Sequence, residues 1–97
     1  MKVTFYPRFT RELDEQFSFF RDRGYEEGNP NLALEFIDDT QKAIEHIKAN
    51  PQAWPKVSPG IRRIHLKKFR NHALRYRYSK AKGAIYLTRL THSAQKT

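Results

Sequence analysis

The sequence predicts an α+β domain spanning residues 1–97, in which an N-terminal strand and a two-helix hairpin pack on one face of an antiparallel β-sheet. Three observations carry this expectation. Apolar residues between Phe9 and Ile47 recur at helical spacing, whereas those between Ile61 and Leu90 alternate as strands do. Asn50-Pro51 separates the two regimes. Each regime leaves one apolar face that needs a partner layer, and each can cover the other.

The elements follow in order. Val3 and Phe5 alternate with Lys2 and Thr4, which reads as a short strand stopped by Pro7. Thr10 reads as an N-cap with Glu12, Asp14 and Glu15 in the first turns, where the helix dipole favours anions. Phe9, Leu13, Phe17 and Phe20 form one stripe of a helix predicted to end near Gly24. Asn29-Pro30 reads as a cap and first helical residue. The second helix is predicted from Asn31 to Ala49, with Ala33, Phe36, Ile37, Ala43, Ile44 and Ile47 inward. Asn50, in the left-handed conformation, and Pro51 should end it. The stretch QAWPKVSPG is predicted as a loop with Trp54 turned back against the helices. Strands are expected over 61–69, 72–79 and 84–90, the last two joined by a tight turn that uses Gly83. The end, from Ser93, is expected to fray.

Alternation divides the sheet residues. Ile64, Leu66, Leu74, Tyr76, Tyr78, Ile85 and Leu87 are assigned to the helix side. Arg63, His65, Lys67, Ala73, Arg75, Arg77, Tyr86, Thr88 and Leu90 are assigned to an open face.

The charge is strongly polarised. All ten acids lie between Glu12 and Glu45, whereas residues 46–97 hold thirteen Lys or Arg and no acid. Such a field attracts polyanions, nucleic acid or an acidic protein segment alike. Residues 61–80 alone carry eight bases; a face kept only for solubility would mix signs. Glu12, Asp14, Glu15, Asp38 and Asp39 are read as a solvated acidic helix surface. His65, His72 and His92 lack metal-ligand spacing, and the sequence has no cysteine. No cofactor or metal is expected. No phosphate loop or nucleophile elbow is present, which argues against a conventional hydrolase. Without a membrane span or signal segment in the sequence, a soluble cytoplasmic protein is expected.

The order ANPQAW, IRRIHLKKF, LRYRY and IYLTRL closing on His92 resembles the RelE/ParE superfamily of type II toxin–antitoxin toxins, also called plasmid-stabilisation proteins. Asn50-Pro51, Trp54, Arg62-Arg63, Phe69, Tyr76 and His92 carry the resemblance. It implies the fold described above and neutralisation by a cognate antitoxin with an acidic C-terminal segment. It also implies one of two targets. RelE-like members cut messenger RNA on the ribosome; ParE-like members inhibit DNA gyrase without being enzymes.

In the ribonuclease branch the middle strand reads approximately aromatic-Arg-Leu-x-Tyr, and the matching residues here are His72-Ala73-Leu74-Arg75-Tyr76. Ala73 stands at the arginine position. The second arginine expected after His92 is also missing, since Ser93 to Thr97 contain none. The resemblance therefore favours a non-enzymatic ParE-like toxin. Its expected target- or antitoxin-binding residues are Arg62, Arg63, His65, Lys67, Arg75, Arg77, Tyr86, Arg89, Leu90 and His92. Two alternatives stand beside it: a metal-independent endoribonuclease using Arg63, Arg75, Arg77 and His92, and a basic module that simply binds RNA or DNA.

Overall fold

The computed structural model describes residues 1–93 and contains β1 (Lys2–Phe5), α1 (Pro7–Glu27), α2 (Leu32–Ala49), β2 (Lys56–Ser58), β3 (Ile61–His65), β4 (His72–Ser79) and β5 (Ala84–His92). The tail expected to fray lies outside the described residues from position 94 onward. The five strands form one sheet in the order β1-β5-β4-β3-β2. Phe9, Phe20, Phe36, Ala43 and Ile47 from the helices meet Ile64, Leu66, Leu74, Tyr76, Ile85, Leu87 and Leu90 from the sheet side in one buried cluster, so both helices cover the same face. Trp54 packs against that cluster, as expected from the sequence.

Strands β2 to β5 pair antiparallel, as expected, but the first strand joins the edge of the sheet instead of packing on its face. β1 runs parallel to β5, with Lys2 opposite Ala84 and Phe5 opposite Leu87, and the sheet is mixed. The connection that this parallel pair requires runs through both helices and strands β2 to β4.

Helix boundaries move for local reasons. Pro7 ends β1 but also starts α1, because its fixed φ suits the first helical position; Tyr6, not Thr10, is the N-cap. The helix continues through Gly24 to Glu27 and stops at Gly28, which takes φ +75°. Gly24 is needed for close approach: a Cβ there would run into the Asn29 carbonyl, and the Asn29 N–H donates to the Gly24 carbonyl at 2.7 Å. The Asn29 side chain accepts from the Asn31 N–H and donates to Glu35 rather than capping at Pro30, so α2 begins at Leu32. Asn50 ends α2 with φ −153°, not in the left-handed region. Steric restriction by the following proline is sufficient to stop the helix.

The expected loop 52–60 contains a strand, β2, which pairs antiparallel with β3. β3 ends at His65 instead of residue 69 because Asp39 holds the following backbone elsewhere. Its carboxylate accepts from the N–H groups of Lys68 and Phe69 at 2.8 and 3.0 Å. Asp39 is 4% exposed and Glu12 is 8% exposed, so neither belongs to the solvated acidic surface assigned to them. Glu12 sits where β1 has ended and β5 continues. It accepts from the Leu90 N–H at 3.1 Å and from Arg89 Nη2 at 2.8 Å, completing the hydrogen bonding of the strand edge with a side chain. Tyr76 is fully buried, its hydroxyl donating to the Pro51 carbonyl at 2.6 Å; burial pushes the phenol up to about 12 despite the opposing pull of Arg62.

A β-bulge decides which residues reach the open face. Arg75 pairs with Arg89, but the next residue, Tyr76, pairs with Leu87, leaving Thr88 extra on β5. The Thr88 hydroxyl donates to the Arg75 carbonyl at 3.1 Å and fills the irregularity. Beyond the bulge the alternation reverses. Leu90, assigned to the open face from strict alternation, is 2% exposed in the core, and Arg89 takes the open side instead.

Candidate functional site

The open face has two chemically different ends. At one end the register places Arg63 opposite Arg75 and Arg75 opposite Arg89, three guanidinium-bearing residues in a single row across β3, β4 and β5. Two residues along, the next row is His65, Ala73 and Thr91. The small side chain of Ala73 leaves a depression of about 420 Å³ between those rows, closed below by Asn71, His92 and Ser93. The Ser93 N–H donates to the Asn71 carbonyl at 2.8 Å and holds this lower rim together. Like charges directly opposite one another destabilise a sheet. Glu12 partly offsets this through Arg89, while Arg63 and Arg75 face the depression with no acid among its lining residues.

At the other end, Arg77 pairs with Tyr86, and the Tyr86 ring lies 6.3 Å from that of Tyr6. Tyr78 and Lys82 complete this shallower surface. Tyr and Arg together are typical of the anchoring residues of protein interfaces.

The remaining expected residues are distributed differently. Arg62 pairs with Tyr76 and donates to the Trp54 carbonyl at 2.7 Å, so its guanidinium braces the loop before β2 instead of joining the row. Lys67 lies beyond the end of β3, in the segment between β3 and β4, beside Lys68 and Arg70. His65 and His92 line the depression, with His65 Nδ1 at 3.3 Å from the Arg70 carbonyl. Of the four ribonuclease candidates, Arg63, Arg75 and His92 meet at the depression and Arg77 does not. Asn71, Thr91 and Ser93 were not anticipated, because their place depends on the bulge and on the path of the 66–71 segment. Among the described residues no group of three or more potential ligands could hold a metal ion, and no helix is long and apolar enough to cross a membrane.

Beneath the depression, His72 is paired with His92, their rings 4.4 Å apart. His72 is 3% exposed among Phe20, Phe36 and Phe69, with Nε2 held at 2.8 Å by the Gln16 side-chain oxygen. Burial, reinforced by the neighbouring His92, depresses its pKa to about 4. The unfolded chain then binds a proton that the folded chain refuses, so this contribution to stability is intact above about pH 6.5 and declines as pH falls towards 4. Lowering pH from 7 to 5 is expected to reduce the unfolding free energy by about 2 kcal/mol through this group. Urea unfolding at both pH values checks this, since a His72→Phe chain should lose most of the difference.

Comparisons with known proteins now bear on this geometry. The family described as ParE toxin of type II toxin-antitoxin system, parDE, matches residues 3–97. A solved structure described as the chromosomal ParDE TA system from P. aeruginosa superposes with a TM-score of 0.63 at 19% identity, covering 95% of this chain and 95% of that one. The isolated E. coli RelE toxin superposes with the same TM-score, 0.63, at 13% identity, covering 98% of this chain and 86% of that one. No curated protein matches by sequence. The likenesses in structure are equal for the two toxins, so backbone shape does not separate their modes of action.

Proposed function

The chain belongs to the ParE toxin family of type II toxin–antitoxin systems, and from that membership we propose that it arrests growth in the cytoplasm by binding a macromolecular target, DNA gyrase by family resemblance, without cleaving it. A cognate antitoxin neutralises it, and an acidic C-terminal segment in that antitoxin suits the open face by charge. The observation that supports binding over cleavage is Ala73. The residue beneath the arginine row supplies no charged or proton-transferring group, and the depression it leaves is lined by three arginines, small polar side chains and the imidazoles of His65 and His92. Such a surface holds negative charge; with Ala73 at the arginine position, proton transfer in a cleavage reaction would fall to His65 and His92.

The grouping of Arg63, Arg75 and His92 around one depression is what favours the second reading, a ribosome-dependent endoribonuclease. Two assays on the purified chain separate the readings. Inhibition of gyrase supercoiling with ribosome-bound mRNA left intact is expected, weakened about tenfold or more in Arg75→Ala, as for loss of a central arginine anchor. Site-specific mRNA cleavage on the ribosome that disappears in His92→Ala would overturn the proposal.

A further inference from the structure

We infer that the cleft between the C-terminal half of α1 and the 66–71 segment docks an acidic protein segment, which inserts one large apolar side chain there. The cleft meets the arginine depression only at Asn71 and His92, and the target reading neither requires nor excludes it. The starting point is Phe19, which is 50% exposed although its neighbour Phe20 belongs to the core. A single exposed phenylalanine carries little meaning on a protein surface. Phe19, however, forms one wall of a cleft of about 510 Å³, and Phe20 and the half-buried Phe69 continue the aromatic surface across it. Its rim is cationic: Arg23 stands on the α1 side and Lys68 and Arg70 on the other, with no acid among the lining residues. Aromatic side chains beside arginine are the usual anchors of protein interfaces.

Two features favour a peptide over a nucleic acid strand as the occupant. Stacked bases need an open ring face. Here the rings meet edge to face, Phe19 against Phe20 at 76° and Phe20 against Phe69 at 67°, and the Arg23 guanidinium lies over the Phe19 ring at 5.9 Å. Such a surface suits a side chain seated among ring edges better than a flat base. The charges are also unevenly placed. Arg23 already pairs with Glu27 at 2.7 Å, whereas Lys68 and Arg70 are exposed and make no ion pair among the described residues. Two cations on one wall match carboxylates beside an apolar anchor, not the continuous charge of a phosphate backbone. That wall is fixed in advance, because the Asp39 carboxylate accepts from the N–H groups of Lys68 and Phe69 at 2.8 and 3.0 Å. Preorganisation of this kind lowers the cost of binding.

Amide NMR of the purified chain at constant ionic strength tests the cleft with a short polyglutamate peptide carrying one central leucine, and with its serine counterpart. The leucine peptide should shift the signals of Phe19, Arg23 and Arg70 saturably and bind about tenfold more tightly than the serine peptide. A tenfold preference is about 1.4 kcal/mol, as expected for partial burial of one leucine. Phe19→Ser should abolish the preference and leave both peptides equally weak. Arg70→Glu should weaken the leucine peptide at least tenfold, whereas Arg77→Glu, the same charge change at the far end of the open face, should do so less than threefold. Thermal melting establishes that each variant is folded, and Arg70→Glu carries the test if the serine is not accommodated. Equal binding of the two peptides to the parent, or a leucine preference that survives Phe19→Ser, would overturn the site. So would equal losses from Arg70→Glu and Arg77→Glu, which would reduce it to diffuse charge. A single-stranded DNA of the same length that shifts these signals and binds more tightly than the leucine peptide would assign the cleft to nucleic acid instead. Gyrase enters none of these measurements, so failure of the target reading leaves the result standing.

Discussion

Leu90→Ala is expected to lower the unfolding free energy by about 3 kcal/mol, within the range for truncating a buried leucine. Leu90 is 2% exposed and packs in the cluster shared by the helices and the sheet. It does so only because Thr88 is inserted opposite the Arg75–Tyr76 step and reverses the alternation of the last strand. An open-face Leu90 would behave differently: its truncation would change stability by less than about 0.5 kcal/mol and would weaken binding to whatever covers that face. Urea denaturation of the isolated chain distinguishes the two directly. A stability equal to the parent's would mean that the strand lacks the bulge and that Arg89 does not belong to the arginine row.

Replacing Glu12 by alanine should cost about 2–4 kcal/mol, for reasons that combine backbone and charge. The Leu90 N–H is left without its acceptor in a buried position, and Arg89 loses its carboxylate partner. The Arg89 side chain keeps 23% of its exposure, so water screens part of the second loss and the estimate stays below that for a fully buried pair. Glu12→Gln separates the contributions. Its amide oxygen can still accept from Leu90, and about half the loss should be recovered. If the alanine chain unfolds at the same urea concentration as the parent, Glu12 is not the element that joins α1 to the edge of β5.

The fold was legible wherever periodicity was strong. The stripes Phe9–Phe20 and Ala33–Ile47 and the alternation in Leu74–Tyr76 and Ile85–Leu87 led to the observed layers because each run commits several residues to one face. What could not be read was set by single contacts between distant positions. Asp39 and Glu12 look like ordinary helix-surface acids in sequence, yet each holds backbone N–H groups from the far half of the chain. The parallel pairing of β1 leaves no local signature, and neither does the extra residue at Thr88. The candidate site was partly visible for the same reason. Arg63, His65 and Arg75 lie before the bulge at Thr88 and were assigned to the correct face, whereas Leu90 lies beyond it and was not.

The parallel β1–β5 pairing also imposes an order on synthesis. Lys2 finds its sheet partner only when Ala84 exists, and the arginine row is incomplete until Arg89 has been added. A nascent chain carrying α1 and α2 has nothing to close its helical layer against, and contacts of such long sequence separation form late. The arginine-lined surface therefore cannot form until Arg89 has been made and β5 has paired with both of its neighbours.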